Sequence, residues 1–212
     1  MIGLELTQEQ GEFLVRLARK TVEYYLDSDE NFKPSPPKET PRELWANGGV
    51  FVTINSKGDN GEYNFLRGCI GFPYPIMPIV EATIEAAIAA ATEDPRFYPL
   101  SSEELKDVVF EVSVLTPPKE LEFVSRSEIP SKIVVGRDGL MIEKNTWSGL
   151  LLPQVPLEYN WDSEEFLREA CIKAGLHPEA WKENGTKILT FTAKVFREQE
   201  PMGKVLEGQL KA

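Results

Sequence analysis

Six consecutive residues, Leu66-Arg67-Gly68-Cys69-Ile70-Gly71, set a guanidinium two positions from a thiol and flank that thiol with glycine. In an extended strand alternate side chains share a face, so Arg67, Cys69 and Gly71 are expected to point one way and Leu66, Gly68 and Ile70 the other. The second set suits a core. An arginine about 4–5 Å from a thiol, at an effective dielectric of about 20, favours the thiolate by roughly 3–4 kcal/mol. That moves a cysteine from its usual pKa of about 8.5 into the reactive range, and burial opposes the shift. Two readings stay open. Cys69 is a nucleophile or ligand contact served by Arg67, or it is a small buried apolar side chain beside an ion-paired arginine. In the second reading Gly68 and Gly71 admit a neighbouring backbone.

Other chemistry is limited by what the chain contains. The single histidine, His177, and the two cysteines, Cys69 and Cys171, rule out a His-rich or four-cysteine zinc site. No EF-hand spacing, dinucleotide fingerprint or Walker-type loop occurs, so neither a metal centre nor a cofactor is expected, a carboxylate-only Mg²⁺ or Ca²⁺ site being the one metal chemistry left open. His177 in a Gly-Leu-His-Pro corner reads as a capping or surface residue rather than the partner of Cys69. Asp94 and Arg96 bracket Pro95, as an ion pair at a helix stop or with Arg96 turned to an anionic group. Gln154, after Pro153, is a candidate ligand contact or a structural loop amide. Glu158 and Asp162 read as solvated or capping groups, and Trp147, Trp161 and Trp181 as packing residues, Trp147 marking a partner surface if exposed.

A net charge of −11, from 34 acidic and 23 basic residues, repels phosphate backbones, so nucleic acid is not an expected partner. The most apolar stretch, Ile79 to Ala91, carries Glu81 and Glu85 and is too short for a bilayer, so no membrane partner is expected. The N-terminal residues lack a signal-peptide pattern, and two thiols suit a reducing compartment, so the cytoplasm is the expected location. Nothing in the sequence addresses oligomeric state.

The elements that must position the six residues follow from patterning. Thr7-Gln8-Glu9-Gln10 reads as a capping box opening a helix to about Leu26. A loop over Asp27–Pro41 precedes a strand over Gly49–Ile54. A turn with Gly58, Asp59, Asn60 and Gly61 then leads into a returning strand over Tyr63–Phe72. An Ala-rich helix spans Pro78–Thr92, and Asp94-Pro95 stops it. Leu105–Leu115 alternates as a strand with one better-buried face. After about Val124, Lys132–Val135 and Leu140–Glu143 read as a hairpin across Asp138-Gly139, with Ser148–Pro153 a third short strand. Asp162 or Ser163 caps a helix that Gly175 closes, Pro178 opens a short helix, and Thr186–Phe196 is one strand returning to the first sheet. The architecture is α+β, in two lobes that each hold a mainly antiparallel sheet flanked by helices. The larger lobe covers about 1–123 plus 185–212 and the smaller about 124–184.

The hexapeptide and its flanks also resemble the AMMECR domain family. The similarity runs through Gly49-Val50-Phe51-Val52-Thr53, Leu66–Gly71, Asp94-Pro95-Arg96-Phe97 and Val112-Ser113-Val114-Leu115. It continues through Leu150-Leu151-Leu152-Pro153-Gln154-Val155, Trp161-Asp162 and Lys173-Ala174-Gly175-Leu176, in order over nearly the whole chain. The resemblance implies a two-lobed α+β fold with the Arg67/Cys69 strand facing a cleft between the lobes. With the signature in that cleft, Arg67 and Cys69 are the candidate catalytic residues, and Leu66, Gly68, Ile70 and Gly71, with Arg96 and Gln154 from the reading of the residues themselves, are the candidate ligand contacts. Members occur in all three domains of life, at times fused to or encoded beside Memo-type and radical-SAM proteins, and the resemblance brings no defined reaction. Three functions are carried forward: a module binding a protein or other sizeable ligand, a cleft enzyme using Cys69, and an accessory factor to a Memo-type or radical-SAM protein.

Overall fold

A computed structural model describes residues 6–28, 33–58 and 61–208. Its elements are α1 (Gln8–Asp27), β1 (Gly49–Ser56), β2 (Phe65–Phe72), α2 (Ile79–Thr92), β3 (Val108–Leu115), β4 (Lys119–Glu120) and α3 (Ile129–Lys132). They continue as β5 (Gly139–Lys144), β6 (Trp147–Leu151), α4 (Val155–Glu158), α5 (Ser163–Lys173), β7 (Lys187–Phe191), β8 (Ala193–Glu198) and β9 (Val205–Glu207). The fold is α+β with two mainly antiparallel sheets. The chain forms two compact units, one from Met1–Leu115 with Lys194–Gly208, the other mainly from Thr116–Ala193.

The first unit holds a five-stranded sheet ordered β2-β1-β3-β8-β9. The expected capping box opens α1: Thr7 Oγ1 accepts from Gln10 N, and the Gln10 side chain accepts from Thr7 N. One face of α1 buries Leu14, Val15, Ala18 and Val22 in a common core with Val50, Val52 and Ile54 of β1 and Phe110, Val112 and Val114 of β3. Ala82, Ala86, Ala87 and Ala90 of α2 join the same core. Asp59 and Asn60 of the expected turn, and part of the Asp27–Pro41 loop, lie outside the described residues. The expectation of one better-buried face on β3 is corrected, because all eight of its residues are buried.

The second unit holds a sheet ordered β4-β7-β5-β6. Its core joins Leu140, Ile142 and Ile188 to Phe166, Leu167, Ala170 and Cys171 of α5. Asp162 caps α5 by accepting from Glu165 N, and Gly175 leaves it at φ +75°. The hairpin expected across Asp138-Gly139 is absent. Residues 129–132 are a helical turn, and the Asp138 carboxylate takes Val134 N–H at 2.8 Å, which curls the segment out of strand geometry. The hairpin lies one element later, β5 to β6, with Asn145 at φ 54° in the turn. The single strand expected over 186–196 is two: β7 pairs with β4 and β5, and β8 sits beside β3 and β9. The break falls at Thr192, whose N–H donates to Thr116 Oγ1 at 2.8 Å while its carbonyl accepts Thr116 N–H at 2.9 Å. Among the described residues no helix is long and apolar enough to cross a membrane.

Candidate functional site

β2 is an edge strand, and its pairing with β1 is not regular. Thr53 faces Cys69 and Ile54 faces Gly68, but Asn55 faces Leu66, so Arg67 is an extra residue in a bulge. The bulge reverses the side-chain parity on its N-terminal side. Gly68 and Ile70 face α2 and the core as expected, whereas Leu66 moves to the face of Asn55, Thr53 and Cys69 and is exposed. The expectation that Leu66 shares a face with Gly68 is therefore corrected.

Arg67 does not serve the thiol. Its Nε and Nη2 donate to the two carboxylate oxygens of Glu104 at 2.9 and 3.1 Å, and Nη1 donates to Tyr98 O at 2.9 Å. The guanidinium beside Glu104 holds that carboxyl below its ordinary range. The other determinant of Glu104 is a capping box: Ser101 N donates to Glu104 Oε2 at 2.9 Å. A Ser-x-x-Glu pattern is a readable signal, and it marks the loop that Arg67 anchors to the bulge.

Both signature glycines are occupied by backbone. A Cβ on Gly68 would stand 2.1 Å from Ala90 O of α2, and one on Gly71 would stand 2.3 Å from Val50 O. Their smallness thus admits the Ala-rich helix on one side and β1 on the other, the close approach that glycine in a strand often marks.

The Cys69 thiol accepts from Thr53 Oγ1 at 3.3 Å. Burial pushes its pKa up, the Thr53 hydrogen bond opposes this, Glu111 raises it further and Arg96 lowers it. The net direction is upward, so the thiol is held neutral, the reverse of the activation expected from Arg67. The Cys69 backbone is clasped from the open edge of the sheet. Asp94, only 4% exposed, accepts Cys69 N–H on Oδ2 at 2.9 Å, and Arg96 Nη2 stands 3.4 Å from Cys69 O. Asp94 holds Arg96 side-on, through Nε at 2.9 Å and Nη2 at 2.7 Å. Those bonds, outweighing burial, bring the Asp94 pKa down to about 2. Arg96 keeps 44% of its side chain exposed and lies over the Phe97 ring at 5.4 Å. Asp94 and Arg96 together imitate a neighbouring strand at one residue, which also blocks edge pairing there.

The remaining candidates come from the second unit. Gln154 belongs to the second unit, where its backbone carbonyl accepts from Leu157 N and Glu158 N at the start of α4. His177 is exposed, and its Nδ1 accepts Glu179 N–H at 3.2 Å, a local turn bond. Trp147 is 56% exposed, Trp181 is buried, and Trp161 stacks on Tyr159 at 4.8 Å. No cluster of three or more His, Cys, Asp or Glu suited to a metal ion occurs among the described residues.

A bulged signature strand clasped by an Asp-Pro-Arg-Phe corner defines a class, and comparison with known proteins gives it a name. The AMMECR1 family model matches residues 15–196, and the chain belongs to that family. A Pyrococcus abyssi protein is 54% identical over 206 residues, covering 97% of this chain and 98% of its own. A Methanopyrus kandleri protein is 50% identical over 210 residues, covering 99% and 98%. The crystal structure of the uncharacterised protein PH0010 from Pyrococcus horikoshii superposes with a TM-score of 0.90 at 53% identity, over 96% of this chain and 98% of that one.

Proposed function

We propose that the chain is a binding module, and that the Cys69 strand with the Arg96 guanidinium on its edge is its recognition surface for a protein or other sizeable ligand. The observation that carries this reading is Arg96. A buried aspartate fixes its Nε and Nη2, and nearly half of the side chain stays in solvent. A guanidinium held in one orientation loses little entropy when an anionic group docks on its remaining donors. The reading of Cys69 as a nucleophile is less well supported, because its thiol is neutral and Arg67 is committed to Glu104.

Affinity capture of a ligand, followed by dissociation constants for the recovered species, tests the proposal. Arg96→Gln is expected to weaken binding at least about tenfold, the worth of one charge-assisted hydrogen bond. Cys69→Ser should stay within about twofold, far below one such bond. Loss in Cys69→Ser with folding intact, or undiminished binding in Arg96→Gln, sinks the reading.

A further inference from the structure

Each sheet has two edge strands, β2 and β9 in the first unit, β4 and β6 in the second. An edge strand offers unpaired N–H and C=O groups to any strand that approaches, and folded chains blunt such edges. β2 is bulged at Arg67 and clasped at Cys69 by Asp94 and Arg96. On β9 the Gln8 side chain closes the edge: its Nε2 donates to Val205 O at 2.8 Å and its Oε1 accepts Glu207 N–H at 2.9 Å. β4 is two residues long, both charged. β6 has none of these devices. Its residues, Trp147-Ser148-Gly149-Leu150-Leu151, carry no charge and no proline, and its register with β5 is unbroken.

The turn at Asn145-Thr146 makes Lys144 and Trp147 a hydrogen-bonded pair, so by alternation Trp147, Gly149 and Leu151 bond to β5. The N–H and C=O groups of Ser148 and Leu150 then point to the open edge, where they meet no hydrogen-bond partner among the described residues. We infer that this edge binds the same edge of a second copy of the chain, antiparallel about a two-fold axis at Gly149. In that register Ser148 faces Leu150 of the partner subunit, each such pair exchanging both of its N–H···O bonds. Trp147 faces Leu151 of the partner subunit, an apolar cross-strand pair made twice. Gly149 packs on the Lys173–Ala174 backbone and puts no side chain on the axis. Charge and apolar surface select a second copy as the occupant. At net −11 two copies repel over most of their surface, but no charged residue occurs between Lys144 and Glu158. Trp147, whose ring lies against Gly175, is 56% exposed, and Ile172 of α5, next to Lys173, is 48% exposed. Both stand beside the edge and are covered when it is doubled. The inference is independent of the reading of Arg96.

Sedimentation velocity on the full chain, over a concentration series, tests this. The pairing surface is small, so a reversible dimer with a dissociation constant on the order of 100 µM is expected. Ser148→Pro removes an N–H that the monomer does not use, at an edge position where a strand tolerates proline. The two-fold repeats the loss, so the dissociation constant should rise at least about tenfold. Trp147→Ala should raise it about fivefold, as truncation of an interface aromatic does. Amide exchange reads the register. The Ser148 and Leu150 amides should slow as concentration rises, while Gly149, bonded to β5 in either state, should not change. A chain that stays monomeric up to about 1 mM leaves this edge to some other strand and overturns the inference. A dimer that Ser148→Pro leaves intact, or one in which the two amides exchange at an unchanged rate, overturns it too, because the copies then meet elsewhere. Should Ser148→Pro fail to fold, the amide series on the unaltered chain decides.

Discussion

The two units each contain a side-on Asp–Arg pair, and the pairs are nearly alike. Asp94 takes Arg96 Nε and Nη2 at 2.9 and 2.7 Å, and Asp138 takes Arg137 Nε and Nη2 at 2.7 and 2.8 Å. Both aspartates are buried, at 4% and 5% exposure, and both arginines keep about half of their side chains in solvent. Asp138 also takes one backbone N–H, and Asp94 takes two, the nearer one from Arg96 itself. Asp138 reaches four residues back to Val134, while Asp94 reaches 25 residues back to Cys69. One pair is a local turn device. The other spans α2 and holds an edge strand, and its arginine approaches the strand's carbonyl as well. The same chemistry is therefore not in itself a sign of function. The sequence distance over which it acts, and the strand it holds, separate the two.

The largest expected effect comes from removing the two carboxylates. Asp94→Ala leaves the Cys69 N–H unpaired, frees Arg96 and releases β2 from the Asp-Pro-Arg-Phe corner. A loss of about 3 kcal/mol follows from a buried charged acceptor with several donors. Asp138→Ala removes a local turn cap and should cost about 1 kcal/mol, the usual value for such a bond. Urea midpoints measure both, and amide exchange at Cys69 and Val134 localises them. Equal losses, or Cys69 protection unchanged in Asp94→Ala, break the distinction.

Acid sharpens it. The Asp94 pKa of about 2 lies below its ordinary 3.8, so the folded state binds fewer protons than the unfolded one. The stability Asp94 contributes is fully present above about pH 4 and is lost as pH falls toward 2. With the exposed Arg96 partly screened, about 1–2 kcal/mol should disappear over that window. In Asp94→Asn this part of the acid transition should be absent. An unchanged stability profile in that variant would place the low pKa elsewhere.

How far the sequence reaches shows at particular residues. Periodicity locates α1, α2, β1 and β3 because local spacing and burial agree there. It misplaces Leu66 because a bulge at Arg67 is a property of two strands together, set by a register that one strand does not encode. It pairs Arg67 with Cys69 because they are two apart in sequence. Glu104, 37 residues further on, takes the guanidinium instead. The hairpin at Asp138-Gly139 fails for a related reason: the turn dipeptide is present, but the carboxylate spends itself on Val134. Asp94 and Arg96 stand out in the sequence as a helix stop, and nothing there reveals that the stop reaches Cys69. The resemblance marks the signature strand, and only the paired backbone shows that its thiol and its amide face different surroundings.

The smallest effect on stability separates the two arginines most cleanly. Arg96 and Arg137 are both exposed ion-pair partners, at 44% and 60% of their side chains. Such pairs contribute about 0–1 kcal/mol, so Arg96→Gln and Arg137→Gln should each move the urea midpoint by no more than that. Ligand binding should not treat them alike. Arg96 stands on the carbonyl of Cys69, so its loss removes a fixed cation from the proposed recognition surface. Arg137 stands on a turn, so its loss removes only local charge. The expected outcome is two variants of matching stability, one impaired in binding and one not. Impairment in both would mean that long-range charge, in a chain of net −11, governs the encounter rather than a held guanidinium. Raising salt on the unaltered protein distinguishes these cases, because screening weakens long-range steering far more than a contact made at hydrogen-bond distance.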